Sequence, residues 1–478
     1  MPSRFLTFFS PIARLMPEVK PPERAVGFNE KLFWTGGVLI LYLVMSEIPL
    51  YGVALAREAL DQFTALRVLF ASKRGTLMEL GIQPIVTAGL ILQLLAGSGL
   101  ISVDFSRSED RALFTSVTKF FSILMTVFLV LGYIIGGAYG GDLGVETAVL
   151  IFLQLVAAGV ILMLLDELLQ KGWGLGSGIS LFIMAGVASK ILWSALCPIP
   201  VEEGGYHLGA IIAYIQYLLA GKNPLTAFVS RTRPDLPTMM GLVATIAVFL
   251  IVIYFEGMKL ELPVAYARFR GFRGRFPVKF LYVSNIPVIL VSALFMDVYF
   301  VAQIVWSRFN QDGMNMWLNF LGTFNPENPS EPTGGIAKYI IAPRNFTAVL
   351  QDPIRAVVYT ALMIVLCVMF SLVWIEVGGL GPRSVAEQLV DSGMQIPGFR
   401  RSHRTIERIL ERYIPTVTVL GAIAVAAIAA VADFFGVYGT GMGVLLSVGI
   451  LYQYYQIIAQ ERLTEMYPML RAFIGRGR

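Results

Sequence analysis

One ionisable side chain in this sequence lies within a stretch that is apolar enough to be buried in a membrane. Asp297 lies in the middle of the apolar run "SALFMDVYFVAQ" (292–303), where an ionisable group is expensive to bury and marks a functional site by default. We predict that Asp297 is protonated, or paired with a polar residue such as Gln93, and that it tunes the opening of the structure around it. The alternative is a carboxyl group that is simply wetted by a water-filled funnel.

The residues that enzymatic chemistry requires do not form a usable pattern. His207 and His403 are solitary, and no Cys/His cluster has metal-ligand spacing. No nucleophile–base pair or acidic dyad stands out, and the GxxxxGK(S/T) phosphate loop of NTPases does not occur. The sequence therefore predicts a protein that is not an enzyme and that needs no metal or other cofactor.

Two loops carry positive charge in a form that suits nucleic acid. The loop "YARFRGFRGRFPVKF" (266–280) interleaves cations with aromatic side chains, which favours contact with phosphates together with base stacking. The segment "GFRRSHRTIER" (398–408) adds a second basic cluster. The alternative is the usual excess of Lys and Arg in cytoplasmic loops, in contact with lipid headgroups. That excess rarely places six cations in one loop, as here in 258–281.

A membrane-embedded framework must position these groups. The chain of 478 residues is 56% hydrophobic and 14% charged, with a mean hydropathy of +0.70, whereas an average soluble domain carries about 25% charge. Apolar runs long enough to cross a bilayer recur along the whole chain, and the period-2 alternation of a barrel is absent. The predicted fold class is an all-α polytopic membrane protein.

Ten transmembrane spans are predicted. They lie near residues 32–52, 76–98, 118–138, 145–166, 176–194, 240–257, 282–305, 355–376, 413–432 and 440–460. The basic segments all fall on one side of the membrane if the chain starts in the cytoplasm, so both termini are predicted to be cytoplasmic. That side holds the amphipathic N-terminal segment 1–31, the loops 258–281 and 377–412, and the tail 461–478, whereas the loop 195–239 lies outside.

The ten spans contain signs of an internal repeat of five. The second span of each half carries a proline just inside its start, in "QPIV" (83–86) and "IPVI" (286–289). The fifth span of each half opens with alternating glycines, in "GLGSGISLFI" (174–183) and "GTGMGVLLSV" (439–448). An odd number of spans per half makes the halves run in opposite directions, and such matched segments indicate a central pathway. Chance similarity is the alternative, because Gly and Pro are common in spanning helices.

Aliphatic side chains occupy the depth at which such a pathway would be narrowest. At about 1.5 Å per residue, Val86, Ile289 and Leu446 lie roughly 5–15 Å from the start of their spans. The candidates, here called the ring residues, are Ile82, Val86, Ile179, Ile183, Ile289 and Leu446. Branched, non-bonding side chains would make a constriction that seals without chemical selectivity. Ordinary packing against neighbouring helices or lipid is the alternative.

Five long segments resemble the SecY family, the central subunit of protein-conducting channels, and its archaeal branch most of all. They are "RGTLMELGIQPIVTAGLILQLLAGSG", "DELLQKGWGLGSGISLFIMAGV", "FPVKFLYVSNIPVILVSAL", "GFRRSHRTIERILERYIPTVTVLG" and "GTGMGVLLSVGILYQYY". The resemblance implies two inverted five-helix halves, 32–194 and 240–460, around a central hourglass pore. It implies a passive channel that conducts unfolded secretory polypeptides across the membrane and releases transmembrane segments sideways into lipid.

The resemblance also implies roles for particular residues. The ring residues would close the waist of the pore. A short helix at 60–75, which includes Phe63, Leu66, Arg67 and Phe70, would plug the outer funnel. A lateral gate would lie between the second and third spans on one side and the seventh and eighth on the other, with Gln93 and Asp297 at gate positions. The family usually has Asn where this chain has Asp297.

Partners follow from the same resemblance. The basic loops would dock a ribosome, mainly through ribosomal RNA, and the residues implied are Arg268, Arg270, Arg273, Arg275, Lys279, Arg400, Arg401 and Arg404. The other implied partners are a SecE-like clamp, a Secβ-like single-span subunit, signal sequences and nascent polypeptides, and membrane lipid. The implied location is the cell (plasma) membrane, and the membrane of the endoplasmic reticulum is the alternative.

Two other classes of function are alternatives to the channel. An ion-coupled secondary transporter with inverted repeats would show several charges or polar ligands in mid-span. Asp297 is the only clear one, which favours the channel. A membrane receptor for ribosomes that transports nothing would need the basic loops and would not need the ring residues.

Overall fold

The computed structural model shows a bundle of helices with a small β-sheet at one end. It describes residues 8–9, 11, 16–24, 26–52, 71–97, 100–101, 103, 108–135, 139, 144–201, 205–229, 231, 236–266, 273–283, 286–310, 315–325, 332–343, 346–391, 394–395 and 402–466.

The first half of the chain contributes five helices. They are α1 (Phe28–Glu47), α2 (Gln83–Gly97), α3 (Ser108–Ile135), α4 (Val145–Leu168) and α5 (Gly178–Leu196). A single π-helical turn, Leu169–Trp173, follows α4. These helices correspond one to one with the first five predicted spans.

The second half contributes five more spanning helices and several short elements. The helices are α6 (Ala210–Leu219), α7 (Pro224–Val229), α8 (Met239–Gly257), α9 (Ile286–Phe309), α10 (Met316–Leu321), α11 (Gly335–Ile340), α12 (Phe346–Gln351), α13 (Pro353–Val377), α14 (Pro382–Asp391), α15 (His403–Phe434) and α16 (Gly441–Met466). The strands are β1 (Lys259–Tyr266), β2 (Arg273–Lys279), β3 (Thr323–Phe324), β4 (Pro332–Gly334) and β5 (Met394–Gln395). The last five predicted spans coincide with α8, α9, α13, α15 and α16.

Length and composition agree with membrane insertion. Among the described residues, eight helices are long and apolar enough to cross a bilayer. The helix α2 is shorter, with 15 residues. It begins at Gln83 instead of residue 76 because a proline inside a helix clashes with the preceding turn, so Pro84 is tolerated only near the start.

The ninth span also differs from its prediction. The helix α15 begins at His403, about three turns before residue 413. Ile406, Leu410 and Ile414 lie four residues apart and are all buried, so this polar-looking stretch is an amphipathic helix with one apolar face. The helix therefore continues beyond the membrane on its N-terminal side.

The basic loop 258–281 forms a β-hairpin, which sequence analysis did not predict. Strands β1 and β2 pair antiparallel from Lys259 opposite Lys279 to Ala265 opposite Arg273. Strand β5, from the second basic loop, pairs with the far end of β1. We call this end of the bundle the hairpin face. Leu262 and Val278 point from the sheet into a cluster with α14 and α15, which anchors the hairpin to the bundle.

One large hydrophobic cluster occupies the centre of the bundle. Its buried residues come from both halves of the chain, including α1, α2, α5, α9, α13, α15 and α16. The outer surface is also apolar, as on α8, where Ile246, Leu250 and Ile253 are exposed. Lipid tails are as apolar as leucine, so such an exposed face suits a bilayer.

Candidate pore and lateral gate

The ring residues share one hydrophobic cluster in the structure. All six belong to the central hydrophobic cluster, to which α2, α5, α9 and α16 contribute them. Ile82, Ile183 and Leu446 have no exposed surface, and Val86 is 8% exposed. Ile179 and Ile289 are partly buried and pack against the same cluster. Both halves of the chain thus contribute ring residues to one hydrophobic cluster.

The turn into α2 explains how Ile82 reaches this cluster. Gly81 has a positive φ of 53°, a conformation that glycine adopts without steric cost. The chain therefore turns sharply before α2, and the carbonyl of Ile82 accepts hydrogen bonds from the N–H groups of Ile85 and Val86, both at 3.1 Å. Pro84 occupies the first turn, where its missing N–H would have no helical partner.

Asp297 lies on α9 opposite the start of α2. Its Oδ1 accepts a hydrogen bond from Gln83 Nε2 at 3.0 Å, and its Oδ2 accepts one from Thr87 Oγ1 at 2.9 Å. Gln83 and Thr87 are each 2% exposed, whereas Asp297 is half-buried. The three side chains connect the first half of the chain to the second half beside the ring residues.

The prediction that Asp297 pairs with Gln93 was wrong. Gln93 lies on α2 nearly three turns beyond Gln83, and its Oε1 is buried without a hydrogen-bond partner among the described residues. Sequence spacing could not show which turn of α2 faces Asp297, because the prediction began the helix seven residues too early. The signal that was available is Gln83 itself, a polar residue beside Pro84 at the start of an apolar helix.

The seam between α2 and α3 on one side and α9 and α13 on the other carries contacts near both of its ends. At one end, Arg308 donates through Nε to the carbonyl of Ile135 at 2.8 Å. Near it, a Cβ on Gly132 would lie 2.7 Å from the Phe300 ring, so the Phe300 side chain of α9 packs directly against this glycine of α3.

At the hairpin-face end of the seam, α2 contacts α13. A Cβ on Gly97 would lie 2.7 Å from Val373 Cγ1. Between the two ends lie the Asp297 hydrogen bonds and the rings of Tyr133 and Phe300, which are tilted by 34° with their centroids 4.9 Å apart. Small residues let the backbones approach where no water-driven force pulls membrane helices together.

The predicted plug, residues 60–75, lies within the described residues only from Ala71 onward. Phe63, Leu66, Arg67 and Phe70 lie outside the described residues. The segment that follows them is held to the bundle, since Tyr42 on α1 donates to the carbonyl of Ala71 at 3.2 Å. The buried Glu79 side chain also accepts from the N–H of Gly75. The connection between this region and α2 is therefore ordered.

The predicted ribosome-binding residues lie on the hairpin face where the structure describes them. Arg275 is exposed on β2 and pairs with Glu261 across the hairpin. Lys279 lies over the ring of Tyr452 on α16, 5.7 Å from its centroid, and Arg404 is exposed on the first turn of α15. Arg268, Arg270, Arg400 and Arg401 lie outside the described residues, as does the side chain of Arg273. Because β5 pairs with β1, the two basic loops form one platform.

Sequence analysis missed two buried carboxylates, Asp166 and Asp433. Each lies in the last turn of the helix before a glycine-rich segment, at the ends of α4 and α15, and each is 7% exposed. The available signal was an Asp that ends an apolar run and precedes a Gly-x-Gly pattern in both halves. Their hydrogen bonds are described below.

Comparison with known proteins identifies the family. The SecY family profile matches residues 76–455, which is most of the chain and includes the gate helices and every ring residue. The chain belongs to the SecY family. A second profile, the plug domain of Sec61p, matches residues 40–75. The SecY resemblance predicted from the sequence is therefore confirmed.

Individual SecY relatives align over nearly the full length. Protein translocase subunit SecY of Pyrococcus furiosus is 45% identical over 476 residues, which cover 97% of this chain and 98% of the relative. A solved structure of a protein-conducting channel superimposes with a TM-score of 0.81 at 38% identity, covering 96% of this chain and 98% of that chain. Sec61 in the canine ribosome–channel complex from the endoplasmic reticulum gives a TM-score of 0.79 at 38% identity, with the same coverage of both chains. The predicted fold, ten helices in two inverted halves, is that of the SecY channels.

Proposed function

We propose that this chain is the pore subunit of a protein translocase, a passive channel that conducts unfolded secretory polypeptides across the membrane. The observation that carries the proposal is that the ring residues, from α2 and the turn before it, α5, α9 and α16, share one hydrophobic cluster. Aliphatic side chains cannot form hydrogen bonds with a passing peptide and therefore cannot select its sequence. They can part around an extended chain and close again when it leaves.

The same proposal assigns the seam to lateral release. The seam is held by a few polar contacts, chiefly those of Asp297 with Gln83 and Thr87, and by packing between small and aromatic residues. A hydrophobic segment that enters the pore can replace the packing with its own apolar surface, whereas a polar segment cannot. We propose that Asp297 is the polar latch of this gate.

Energy and partners are supplied from outside the chain. We propose that the hairpin face is cytoplasmic, that both termini lie there, and that the platform of the two basic loops docks a ribosome through its RNA. Residues 60–75 serve as the plug, in agreement with the Sec61p plug profile. A SecE-like clamp and a Secβ-like subunit complete the complex, in the plasma membrane as the archaeal relative suggests.

Reconstitution tests this function directly. The purified complex in liposomes, supplied with ribosomes that translate a secretory protein, should render the product resistant to added protease. A product with one transmembrane segment should instead be recovered with the lipid after carbonate extraction. Liposomes that bind the ribosomes and protect no product would contradict the proposal and would favour the receptor alternative. Protection that requires an imposed ion gradient would favour the transporter alternative.

A further inference from the structure

We propose that Asp166 and Asp433 are a symmetry-related pair of positioning residues that fix two of the pore-lining helices. Each carboxylate caps the first turn of the next helix in its own half, so that α5 and α16 reach the waist at a defined depth. The inference rests on the proposed function, because α5 carries Ile179 and Ile183 and α16 carries Leu446.

In the first half, Asp166 holds the start of α5. Its Oδ1 accepts hydrogen bonds from the N–H of Ile179 at 3.0 Å and from the Ser177 hydroxyl at 3.2 Å. Its Oδ2 accepts one from the Gln170 amide at 2.7 Å. Ile179 is itself a ring residue, so the carboxylate holds the backbone of the ring directly. A Cβ on Gly178 would lie 2.7 Å from the Asp166 Cα, and only glycine permits this approach.

In the second half, Asp433 holds the start of α16 in the same way. Its Oδ1 accepts a hydrogen bond from the N–H of Gly441 at 2.6 Å. Its Oδ2 accepts one from the Tyr359 hydroxyl on α13 at 3.1 Å. A Cβ on Gly441 would clash with the carbonyl oxygen of Ala429. A glycine-rich turn and an aspartate at the end of the preceding helix therefore recur in both halves.

Because Asp166 and Asp433 are buried, their hydrogen bonds constrain the positions of the starts of α5 and α16. The first N–H groups of a helix have no partner within the helix, and inside a bilayer no bulk water replaces the missing partner. A buried carboxylate is tolerated only when it accepts such hydrogen bonds. Separating either helix start from its cap would leave a helix N–H unsatisfied and would remove one hydrogen bond from the buried carboxylate, so the depth of each helix is defined.

The two capped helices also contact each other. A Cβ on Gly443 of α16 would lie 3.1 Å from Val187 of α5. The Tyr454 hydroxyl of α16 lies 3.2 Å from the Leu175 carbonyl and 3.1 Å from the Ser177 carbonyl, at the start of α5. The helix α5 starts at the hairpin face and α16 starts at the opposite face. The caps therefore fix the two helices from opposite sides, which sets the depth at which their ring residues meet.

Amide hydrogen exchange tests the caps independently of transport. In the full-length complex, Asp166→Ala should speed exchange in peptides that contain Ile179, and Asp433→Ala in peptides that contain Gly441, by roughly fivefold to tenfold. The Asn variants keep a carbonyl acceptor and should exchange close to the wild-type rate. Unchanged exchange in the Ala variants, or equally fast exchange in the Asn variants, would overturn the proposal.

The ion conductance of the idle complex in planar bilayers tests whether the two caps keep the ring residues sealed. Both Ala variants should raise the conductance of the idle complex, and both Asn variants should not. The matched control is Asp352→Ala, because Asp352 accepts from Arg355 N–H at 3.2 Å and caps α13, which carries no ring residue. A hydrogen bond from Lys338 lowers the pKa of Asp352, so this control removes an ionised cap.

A variant of the ring residue Ile183 distinguishes failure of the positioning role from failure of the proposed function. Ile183→Gly should leak if the ring seals the pore. If Ile183→Gly leaks while both Ala variants of the caps stay tight, the positioning role is overturned and the proposed function stands. If Ile183→Gly does not leak, the ring does not seal the pore and the proposed function is contradicted, while hydrogen exchange still reports on the caps.

Discussion

At the scale of single residues, the gate depends on a few polar side chains in an apolar setting. The sequence alone identified Asp297, because a carboxylate in a spanning helix is conspicuous. It did not identify the partners, since they lie on another helix whose start and rotation depend on Gly81 and Pro84. Gln83 and Thr87 are four residues apart and share one face of α2, which the structure turns toward Asp297.

Removing the latch should make the gate easier to open. Asp297→Leu leaves the buried donors of Gln83 and Thr87 without a partner, which destabilises the closed seam by about 1–3 kcal/mol. We expect reconstituted channels with this variant to transport substrates with weakened signal sequences roughly tenfold better than wild type. Asp297→Asn keeps a carbonyl acceptor and should give a smaller change.

The control for this prediction lies on the same helix. Among the described residues, the Ser307 hydroxyl donates only to the carbonyl of Ile304 within α9, so Ser307→Ala should leave signal-sequence stringency unchanged. Equal stringency in Asp297→Leu, Asp297→Asn and wild type would show that the carboxylate has no role in the gate.

At the scale of elements, hydropathy located the spanning helices and failed at two kinds of boundary. Predicted starts were wrong where a helix continues into water with one apolar face, as α15 does, or where a proline delays it, as in α2. The hairpin β1–β2 was missed because its loop is dense in Arg, Gly and Pro. Pro277 fits on the edge strand β2, where a missing N–H breaks no sheet hydrogen bond.

Packing between α3 and α9 should control lateral release. Gly132→Leu places side-chain atoms where Phe300 already lies, and overpacking of this kind costs about 1–3 kcal/mol. We expect a test segment of marginal hydrophobicity to partition into lipid more often through this variant than through wild type. Gly37→Leu on α1 is the matched control, because in the described part of the chain no side chain or other element lies within 4 Å of a Cβ at Gly37. A Gly132 variant that releases no more segments than this control would contradict the assigned seam.

The hairpin face should bind ribosomes through phosphate contacts. Replacing both Arg275 and Arg404 with Glu should weaken ribosome binding roughly tenfold and lower the slope of log affinity against log salt by about 1 for each lost contact. Lys222→Glu is the control, because Lys222 is exposed in the loop before α7, at the end of the bundle opposite the hairpin. If the control variant loses as much affinity as the double variant, net charge and not the platform is responsible.

At the scale of the whole molecule, two inverted halves close around one hydrophobic cluster. The antiparallel repeat could be predicted from its Pro and Gly positions, because these residues mark the same turns in both halves. The buried caps Asp166 and Asp433 could not, because an aspartate at a helix end looks like any solvated residue until its neighbours are known. Their recurrence shows that the repeat extends to hydrogen bonding as well as to helix order.

The central claim is that a polypeptide passes between the two halves at the ring residues. A stalled secretory nascent chain, cross-linked to single probes at Ile82, Ile183, Ile289 and Leu446, tests it most directly. We predict adducts from all four positions and none from Leu250, which is exposed on the outside of α8. Adducts at Leu250 with none at the ring positions would contradict the account.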